Sequence, residues 1–151
     1  MKVLIEYLEN YDEAWERMGY KHPGDAGFDL RAAIPAPVVV KPGQKAVIPN
    51  GFRLALADAP SDAFEVQIRP RSGLIAHHDA MATLGTIDFN YRGEYKTMIF
   101  NFGAQDFVVN PGDRISQAVV CPIVRPEILA VASVDKNTAR GAGGFGSTGT
   151  S

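Results

Sequence analysis

The chain has 151 residues, of which 46% are hydrophobic and 21% charged, and these fractions indicate a folded globular protein rather than a disordered chain. Lys and Arg number 15 against 17 Asp and Glu, and the net charge of -2 excludes a general attraction to nucleic acid or to anionic membranes. One cysteine in the whole sequence excludes an internal disulfide bond.

The length predicts a single domain. No apolar run approaches the roughly 18 residues of a membrane span. The first residues, KVLIEYLENYDE, are too short and too acidic for a signal peptide. We therefore expect a cytoplasmic protein in which Cys121 is a buried, reduced thiol.

The N-terminal region predicts a strand followed by a short helix. Residues 2–9, KVLIEYLE, are rich in strand-forming residues. Asp12 is placed to cap a helix on which Trp15 is a packing residue, and Gly19 would end that helix.

The turn-forming sequence HPGDAGFDLRAA comes next and contains a candidate site carboxylate. If its second half is extended, Asp29 faces away from Phe28 and Leu30. An aspartate in such a place can bond backbone amides or hold the water shell of a metal ion. The sequence leaves both roles open.

Short strands separated by Gly, Pro and Asn make up most of the remaining chain. They are predicted at residues 38–40, 45–49, 52–58, 64–70, 107–109, 115–124 and 127–134. A second helical turn is predicted near Ser72. A βαβ fold would need amphipathic helices between strands, so about ten short strands instead predict an all-β fold, either a sandwich or a jelly-roll-like β-barrel.

Residues 85–101, GTIDFNYRGEYKTMIFN, predict a β-hairpin with its turn at Asn90 and Gly93. Asp88 would then lie beside the turn instead of inside a core. This carboxylate can serve chemistry, or it can cap its own backbone as in an ordinary hairpin.

The sequence RPRSGL, at residues 69–74, has a composition suited to phosphate binding. Arg71 can donate two hydrogen bonds from its guanidinium, and Ser72 can donate its hydroxyl and begin a helical turn with outward amides. A plain helix start with a solvated arginine is the alternative. His77 and His78 are adjacent and His22 is isolated, so a zinc site is not expected.

The last stretch, RGAGGFGSTGTS from Arg140, predicts a flexible Gly-rich arm. Its glycine spacing approaches that of a P-loop, but Ser147 stands where the lysine belongs and no helix can follow. A disordered terminus is one interpretation. The other is a ligand contact, because Arg140 and Phe145 together suit a molecule with a phosphate and a flat ring.

Five stretches in this order resemble the five motifs of the trimeric dUTPases, and the resemblance covers residues 22–149. They are HPGDAGFDLRAA, RPRSGL, GTIDFNYRG, PGDRISQ and RGAGGFGSTG. The resemblance implies a jelly-roll-like β-barrel at residues 1–136 and an arm at residues 137–151 that closes over an active site of the homotrimer. It also implies Mg²⁺ bound through the substrate phosphates, and no stable binding to nucleic acid or membrane.

The implied activity is hydrolysis of dUTP to dUMP and pyrophosphate, which limits uracil incorporation into DNA and supplies dUMP for dTMP synthesis. By resemblance, Asp88 is the catalytic carboxylate that activates the water attacking the α-phosphorus. Tyr91 packs against the deoxyribose, where a 2′-hydroxyl would collide with its ring. Asn90 stands where an acidic residue is frequent in the family and receives no role.

The resemblance assigns the remaining site residues to phosphates, base and metal. Arg71, Ser72 and Gln117 match phosphate-holding positions. Arg140 matches the γ-phosphate partner and Phe145 the ring that covers uracil. Asp29 is not a direct metal ligand but belongs to the metal's water network. Further substrate-binding positions are Gly73, Gly85, Ile87, Lys96, Gly146 and Ser147.

A protein with the expected fold could have one of two other functions. A dCTP deaminase would release ammonia from dCTP, and the complete hairpin and tail motifs argue against it. A non-catalytic β-barrel used for assembly or regulation is the second alternative. Intact Asp88, Arg71 and Gln117 argue against that role as the sole function.

Overall fold

The computed structural model describes residues 1–60, 63–139 and 141. Within these residues the chain forms eleven strands and one short helix. The strands are β1 (Lys2–Tyr7), β2 (Phe28–Arg31), β3 (Val38–Val40), β4 (Lys45–Pro49), β5 (Phe52–Ala57), β6 (Phe64–Arg69), β7 (Ala80–Ala82), β8 (Gly85–Ile87), β9 (Lys96–Asn101), β10 (Phe107–Val109) and β11 (Arg114–Pro122). Helix α1 (Ser72–His78) lies between β6 and β7, as predicted near Ser72. No helix in the described part of the chain is long and apolar enough to cross a membrane.

The strands pair antiparallel in four sheets. One sheet has the order β2-β11-β6-β8, a second has the order β4-β9-β7, and β1-β5 and β3-β10 form two-stranded ladders. Two apolar clusters fill the interior, one centred on Phe52 and Leu30 and the other on Ile48 and Ile99. The predicted all-β, jelly-roll-like class is confirmed, although the sheets remain separate ladders and do not close into one barrel.

Side-chain alternation explains how β2 positions the site. Phe28 and Leu30 are buried in the first cluster while Asp29 and Arg31 face outward. This is the alternation that the sequence predicts, because successive residues of a strand point to opposite faces. The strand therefore presents a carboxylate at the surface of a rigid sheet.

The predicted helix after Asp12 is wrong. Asp12 Oδ1 accepts a hydrogen bond from the backbone amide of Ala14 at 2.9 Å, and this local bond favours a turn over a helix. Trp15 is a packing residue, as expected, with its ring 5.3 Å from that of Tyr11. The segment is shaped by these contacts rather than by helical hydrogen bonds.

The predicted hairpin at residues 85–101 is also wrong. β8 pairs with β6, whereas β9 pairs with β4 and β7, so residues 88–95 join two different sheets. The two strands serve different cores, since Ile87 packs against the first cluster and Ile99 is buried in the second. We call residues 88–95 the sheet-linking loop.

Two smaller predictions also fail. Residues 127–134 are not a strand, because they pair with no other part of the described chain, and Ile128 is 94% exposed. Cys121 is only partly buried, because β11 leaves the core near its end. Its thiol lies 3.6 Å from Nη2 of Arg69.

Candidate active site

A carboxylate held between two arginines marks the end of the four-stranded sheet. Asp29 Oδ1 accepts from Arg71 Nε at 2.9 Å, and Asp29 Oδ2 lies 3.6 Å from Arg114 Nε. Nη1 of Arg71 also donates to the carbonyl oxygen of Arg114 at 2.7 Å. We call Asp29, Arg71, Arg114 and Gln117 the arginine clasp.

Gln117 belongs to the clasp because β11 runs between β2 and β6. It is paired with Asp29 on one side and with Arg69 on the other. Its Nε2 donates to the carbonyl oxygen of Pro70 at 3.0 Å, which fixes the backbone immediately before Arg71. One glutamine therefore connects the strand carrying the carboxylate to the segment carrying the arginine.

A bulge in β11 brings Arg114 and Gln117 to the same side of the sheet. Residues three apart on a regular strand face opposite sides. The pairing with β2 shifts between Arg114 and Ser116, so that one additional residue, the buried Ile115, is accommodated there. Arg114 consequently reaches Asp29.

The turn that precedes Arg114 is held from two directions. Arg31 donates from Nη1 to the carbonyl oxygen of Gly112 at 2.9 Å. The indole of Trp15 covers the same glycine so closely that a β-carbon there would lie 2.9 Å from its Nε1. The N-terminal segment thus contributes to the position of Arg114.

Two clefts border the clasp. One, of about 360 Å³, lies between residues 16–21 and the β2–β11 surface and includes Asp29 and Gln117. The other, of about 650 Å³, has Arg71 and His78 in its lining. Arg114 lines both clefts and Arg71 lines the second, so both cationic groups of the clasp border space that a ligand can enter.

The start of α1 lies directly after Arg71. Arg71 is extended at the N-cap and donates no side-chain bond to the helix, and Ser72 and Gly73 are exposed. The first amides of a helix lack intrahelical partners. Ser72 and Gly73 therefore present hydrogen-bond donors at the surface beside a guanidinium.

Asp88 lies in the sheet-linking loop with an exposed side chain. Its carbonyl oxygen accepts from the amide of Tyr91 at 3.0 Å, which closes a tight turn. The hydroxyl of Tyr91 donates to the carbonyl oxygen of Glu94 at 3.0 Å, and this ring is 41% exposed. The loop therefore presents one carboxylate and one aromatic ring to solvent.

The far end of this loop is firmly anchored. Tyr95 is 2% exposed, packs its ring 4.8 Å from that of Phe52, and burial raises the pKa of its phenol well above the ordinary value. Just beyond it, the Thr97 hydroxyl donates to Asn50 Oδ1 at 3.0 Å and is hydrogen-bonded to the buried Ser116 hydroxyl at 2.6 Å. The anchoring joins the loop to β11, the strand of the clasp.

The other sequence-predicted site residues lie near this loop. Gly85 and Ile87 are on β8, where their backbone is paired with β6, and Lys96 is exposed at the start of β9. No hydrogen bond or ion pair within the described ranges joins Asp88 or Tyr91 to the arginine clasp. Arg140, Phe145, Gly146 and Ser147 lie outside the described residues.

Sequence reasoning missed two residues of these clusters. Arg114 lies in the PGDRISQ motif, but its contact with Asp29 depends on the β11 bulge, which the motif does not reveal. Glu94 accepts from the amide of Gly51 at 3.1 Å and from Asn10 Nδ2 at 2.8 Å. A charged residue directly before the buried Tyr95 was the available signal, but its partners are 43 and 84 residues distant.

The donor set decides whether the chain can bind a metal ion by itself. No three His, Cys, Asp or Glu side chains in the described residues form a metal-binding group. Both oxygens of Asp29 already face guanidinium groups. A magnesium ion that keeps several waters and binds phosphates would need few protein ligands, and Asp29 is the clasp carboxylate that could accept hydrogen bonds from those waters.

The fold and these clusters define a class, namely an all-β protein with two arginines on one surface carboxylate and a separate loop presenting an acid and an aromatic ring. Comparison with known proteins narrows this class. The family model described as dUTPase matches residues 13–149. The chain therefore belongs to the dUTPase family.

Individual relatives agree with this assignment. The chain is 45% identical to the deoxyuridine 5′-triphosphate nucleotidohydrolase of Maricaulis maris, over 98% of this chain and 96% of that protein. It is 46% identical to the Rhizobium meliloti protein of the same name, over 93% and 87% of the two chains.

Solved structures share the fold. A dUTPase of Staphylococcus bacteriophage 80alpha, solved with dUpNHpp, is 23% identical with a TM-score of 0.82, and the match covers 98% of each chain. A phage phi11 dUTPase solved with a structural Mg(II) ion is 22% identical with a TM-score of 0.75, over 89% of this chain and 99% of that one.

Proposed function

We propose that this protein is a dUTP diphosphatase that hydrolyses dUTP to dUMP and pyrophosphate by attack of water on the α-phosphorus. Family membership and relatives named deoxyuridine 5′-triphosphate nucleotidohydrolase support the proposal. Such an activity limits uracil incorporation into DNA and supplies dUMP for dTMP synthesis. Its cytoplasmic location stays a prediction from the sequence.

The arginine clasp is the observation that supports this function most directly. A triphosphate carries several negative charges, and the hydrolysis places further charge on the leaving pyrophosphate. Arg71 places Nε on Asp29 and Nη1 on the Arg114 carbonyl oxygen, and 33% of its side chain stays exposed. We assign this guanidinium, with Ser72, Gly73 and Gln117, to the substrate phosphates.

Asp88 acts as the general base in this proposal. The exposed carboxylate accepts a proton from the attacking water, and the turn closed by the Tyr91 amide fixes its backbone. The backbone of residues 85–96, including Gly85, Ile87 and Lys96, lies along the base and sugar. Tyr91 packs on the deoxyribose and refuses a 2′-hydroxyl by collision with its ring.

A magnesium ion would be held mainly by the substrate phosphates, and it would neutralise triphosphate charge there. Asp29 would accept hydrogen bonds from the waters of that ion. Both oxygens of Asp29 already lie beside guanidinium groups, which supports contact through water over direct ligation of the metal.

We further propose a homotrimer in which each pocket combines residues from more than one chain. Within one chain the loop of Asp88 and the clasp share no hydrogen bond in the described part. The proposed division is a β-domain at residues 1–136 and an arm at residues 137–151. Arg140 would contact the γ-phosphate and Phe145 would cover uracil, with Gly146 and Ser147 beside them.

Pyrophosphate release from dUTP, dCTP, dTTP and UTP in magnesium buffer tests the proposal. We expect turnover of dUTP far above that of the other three. A folded protein that leaves dUTP intact contradicts it. Ammonia release from dCTP, measured in the same samples, would instead identify a deaminase.

A further inference from the structure

The ring of Tyr91 lies directly over Gly93. A β-carbon built on Gly93 would lie 2.6 Å from Cζ and 3.0 Å from Cε2 of that ring, and it would also collide with the hydroxyl oxygen. Carbon atoms in contact are normally about 3.5–4.0 Å apart. The ring can occupy its observed place only because residue 93 has no side chain.

Conformation does not explain this glycine. Gly93 is absent from the glycines with positive φ, which in the described residues include Gly51 and Gly112. An alanine can therefore adopt the backbone of residue 93. The three nearest atoms that the added methyl group would meet all belong to Tyr91.

Glu94 fixes the backbone on which the ring rests. Its carbonyl oxygen accepts the Tyr91 hydroxyl, while its carboxylate accepts from Asn10 Nδ2 and from the Gly51 amide. Gly51 is closely packed, since a β-carbon there would lie 2.7 Å from Cβ of Ala33 and 3.0 Å from Cβ of Tyr11. The carboxylate thus connects the loop to a buried, closely packed turn.

We infer that Gly93 and Glu94 are positioning residues for sugar selection, Gly93 by leaving space for the Tyr91 ring and Glu94 by holding the carbonyl that orients its hydroxyl. This inference rests on the proposed function, in which the Tyr91 ring excludes ribose. Neither residue touches the substrate in this scheme. They act by setting the position of the Tyr91 ring.

Gly93→Ala tests the inference through the ratio of kcat/KM for dUTP to kcat/KM for UTP. Displacing a substrate-positioning group by about 1 Å can cost about 100-fold, so we expect this ratio to fall about tenfold or more. The melting temperature should stay unchanged or rise slightly, since alanine fits the backbone. An unchanged ratio would overturn the role of Gly93.

The same substitution in a Tyr91→Ala background is the matched control. If Gly93 acts through the ring, Gly93→Ala should no longer change the ratio once the ring is absent. An equal fall in both backgrounds would show that the glycine does not act through the Tyr91 ring.

Glu94→Ala should also lower the ratio, whereas Glu94→Gln, which keeps a side-chain oxygen acceptor, should retain most of the wild-type ratio. Equal ratios for the two Glu94 variants would overturn the role of that carboxylate.

Binding of dUMP and UMP, measured by calorimetry on the same variants, separates this inference from the proposed function. A wild-type protein that binds dUMP more tightly than UMP without hydrolysing dUTP contradicts the proposed function only. If Gly93→Ala then reduces that preference, the inference stands. If the wild type binds the two nucleotides equally, the inference fails whatever the hydrolytic activity.

Discussion

The arginine clasp and the sheet-linking loop present their functional groups in different ways. Three of the clasp's four side chains come from β2 and β11, and Arg71 is linked to them by side-chain bonds. The loop instead holds Asp88 and Tyr91 through its own backbone and through one glutamate beyond them. The functional side chains of the clasp therefore contact one another or neighbouring backbone. Asp88 and Tyr91 are instead held by the loop around them.

In the proposed mechanism the clasp holds the phosphates, whereas the loop supplies the base Asp88 and the sugar contact Tyr91. The Asp29–Arg71 pair has both side chains 33% exposed, so solvent screening leaves it a stability contribution of no more than about 1 kcal/mol. We propose that the pair instead orients a cation toward the ligand. On that proposal, substitutions in the loop should alter chemistry and selectivity while triphosphate binding persists.

The largest effect is expected for Asp88→Asn. Removal of a general base typically costs about 10²- to 10⁴-fold in rate, so kcat for dUTP should fall within that range. Affinity for dUpNHpp should change little, because the proposed phosphate partners lie in the clasp. Stopped-flow pyrophosphate release and calorimetry measure the two quantities.

The same experiment can contradict the proposed division of roles between the two regions. If Asp88→Asn weakened dUpNHpp binding as much as it slowed turnover, the loop would contribute to phosphate binding as well. A kcat equal to that of the wild type would remove Asp88 from the role of base.

A smaller effect is expected for Arg71→Lys. Lysine keeps the charge but cannot make both the Nε contact to Asp29 and the Nη1 contact to the Arg114 carbonyl oxygen. Affinity for dUpNHpp should fall about 10- to 100-fold, while affinity for dUMP falls less, because the proposal places the oriented guanidinium on the phosphate chain.

Arg69→Lys is the matched control for that variant. Arg69 lies two residues earlier and donates to Gln67 Oε1 at 2.8 and 2.6 Å, outside the clasp. We expect its affinity for dUpNHpp to match the wild type. Equal losses in the two variants would show that the effect of Arg71→Lys comes from the net charge of the surface.

The same two regions show how far the sequence alone predicts structure. Strand alternation predicted that Asp29 faces outward, and turn chemistry predicted the start of α1 after Arg71. These features depend on residues adjacent in sequence. The place of Arg114 depends on a bulge whose extra residue, Ile115, looks like any other apolar strand residue.

The sheet-linking loop was mispredicted for a related reason. Two strand-like segments around Asn90 and Gly93 fit a hairpin locally, but β8 and β9 pair with different sheets and pack against different apolar clusters. Such a choice depends on the whole core. The anchor at Glu94 likewise depends on Asn10 and Gly51, which no local pattern connects to it.

The smallest effect concerns alkaline pH and the anchored end of the loop. Burial raises the pKa of Tyr95 above its unfolded value near 10, so the folded state retains the phenol proton that the unfolded state loses. The stabilising contribution is therefore fully present below about pH 10. Above it, the free energy of unfolding should fall by up to about 1.4 kcal/mol per pH unit.

Urea unfolding between about pH 9 and 11.5 measures this dependence. Tyr95→Phe lacks the titrating group, so its stability should fall less steeply above about pH 10. Burial also raises the pKa of Tyr11, which should leave the variant some residual dependence. Because the folded state keeps the Tyr95 proton over this range, the selectivity for dUTP over UTP and the affinity for dUpNHpp should both persist as long as the protein stays folded. Parallel slopes in the two proteins would show that Tyr95 does not cause the pH dependence.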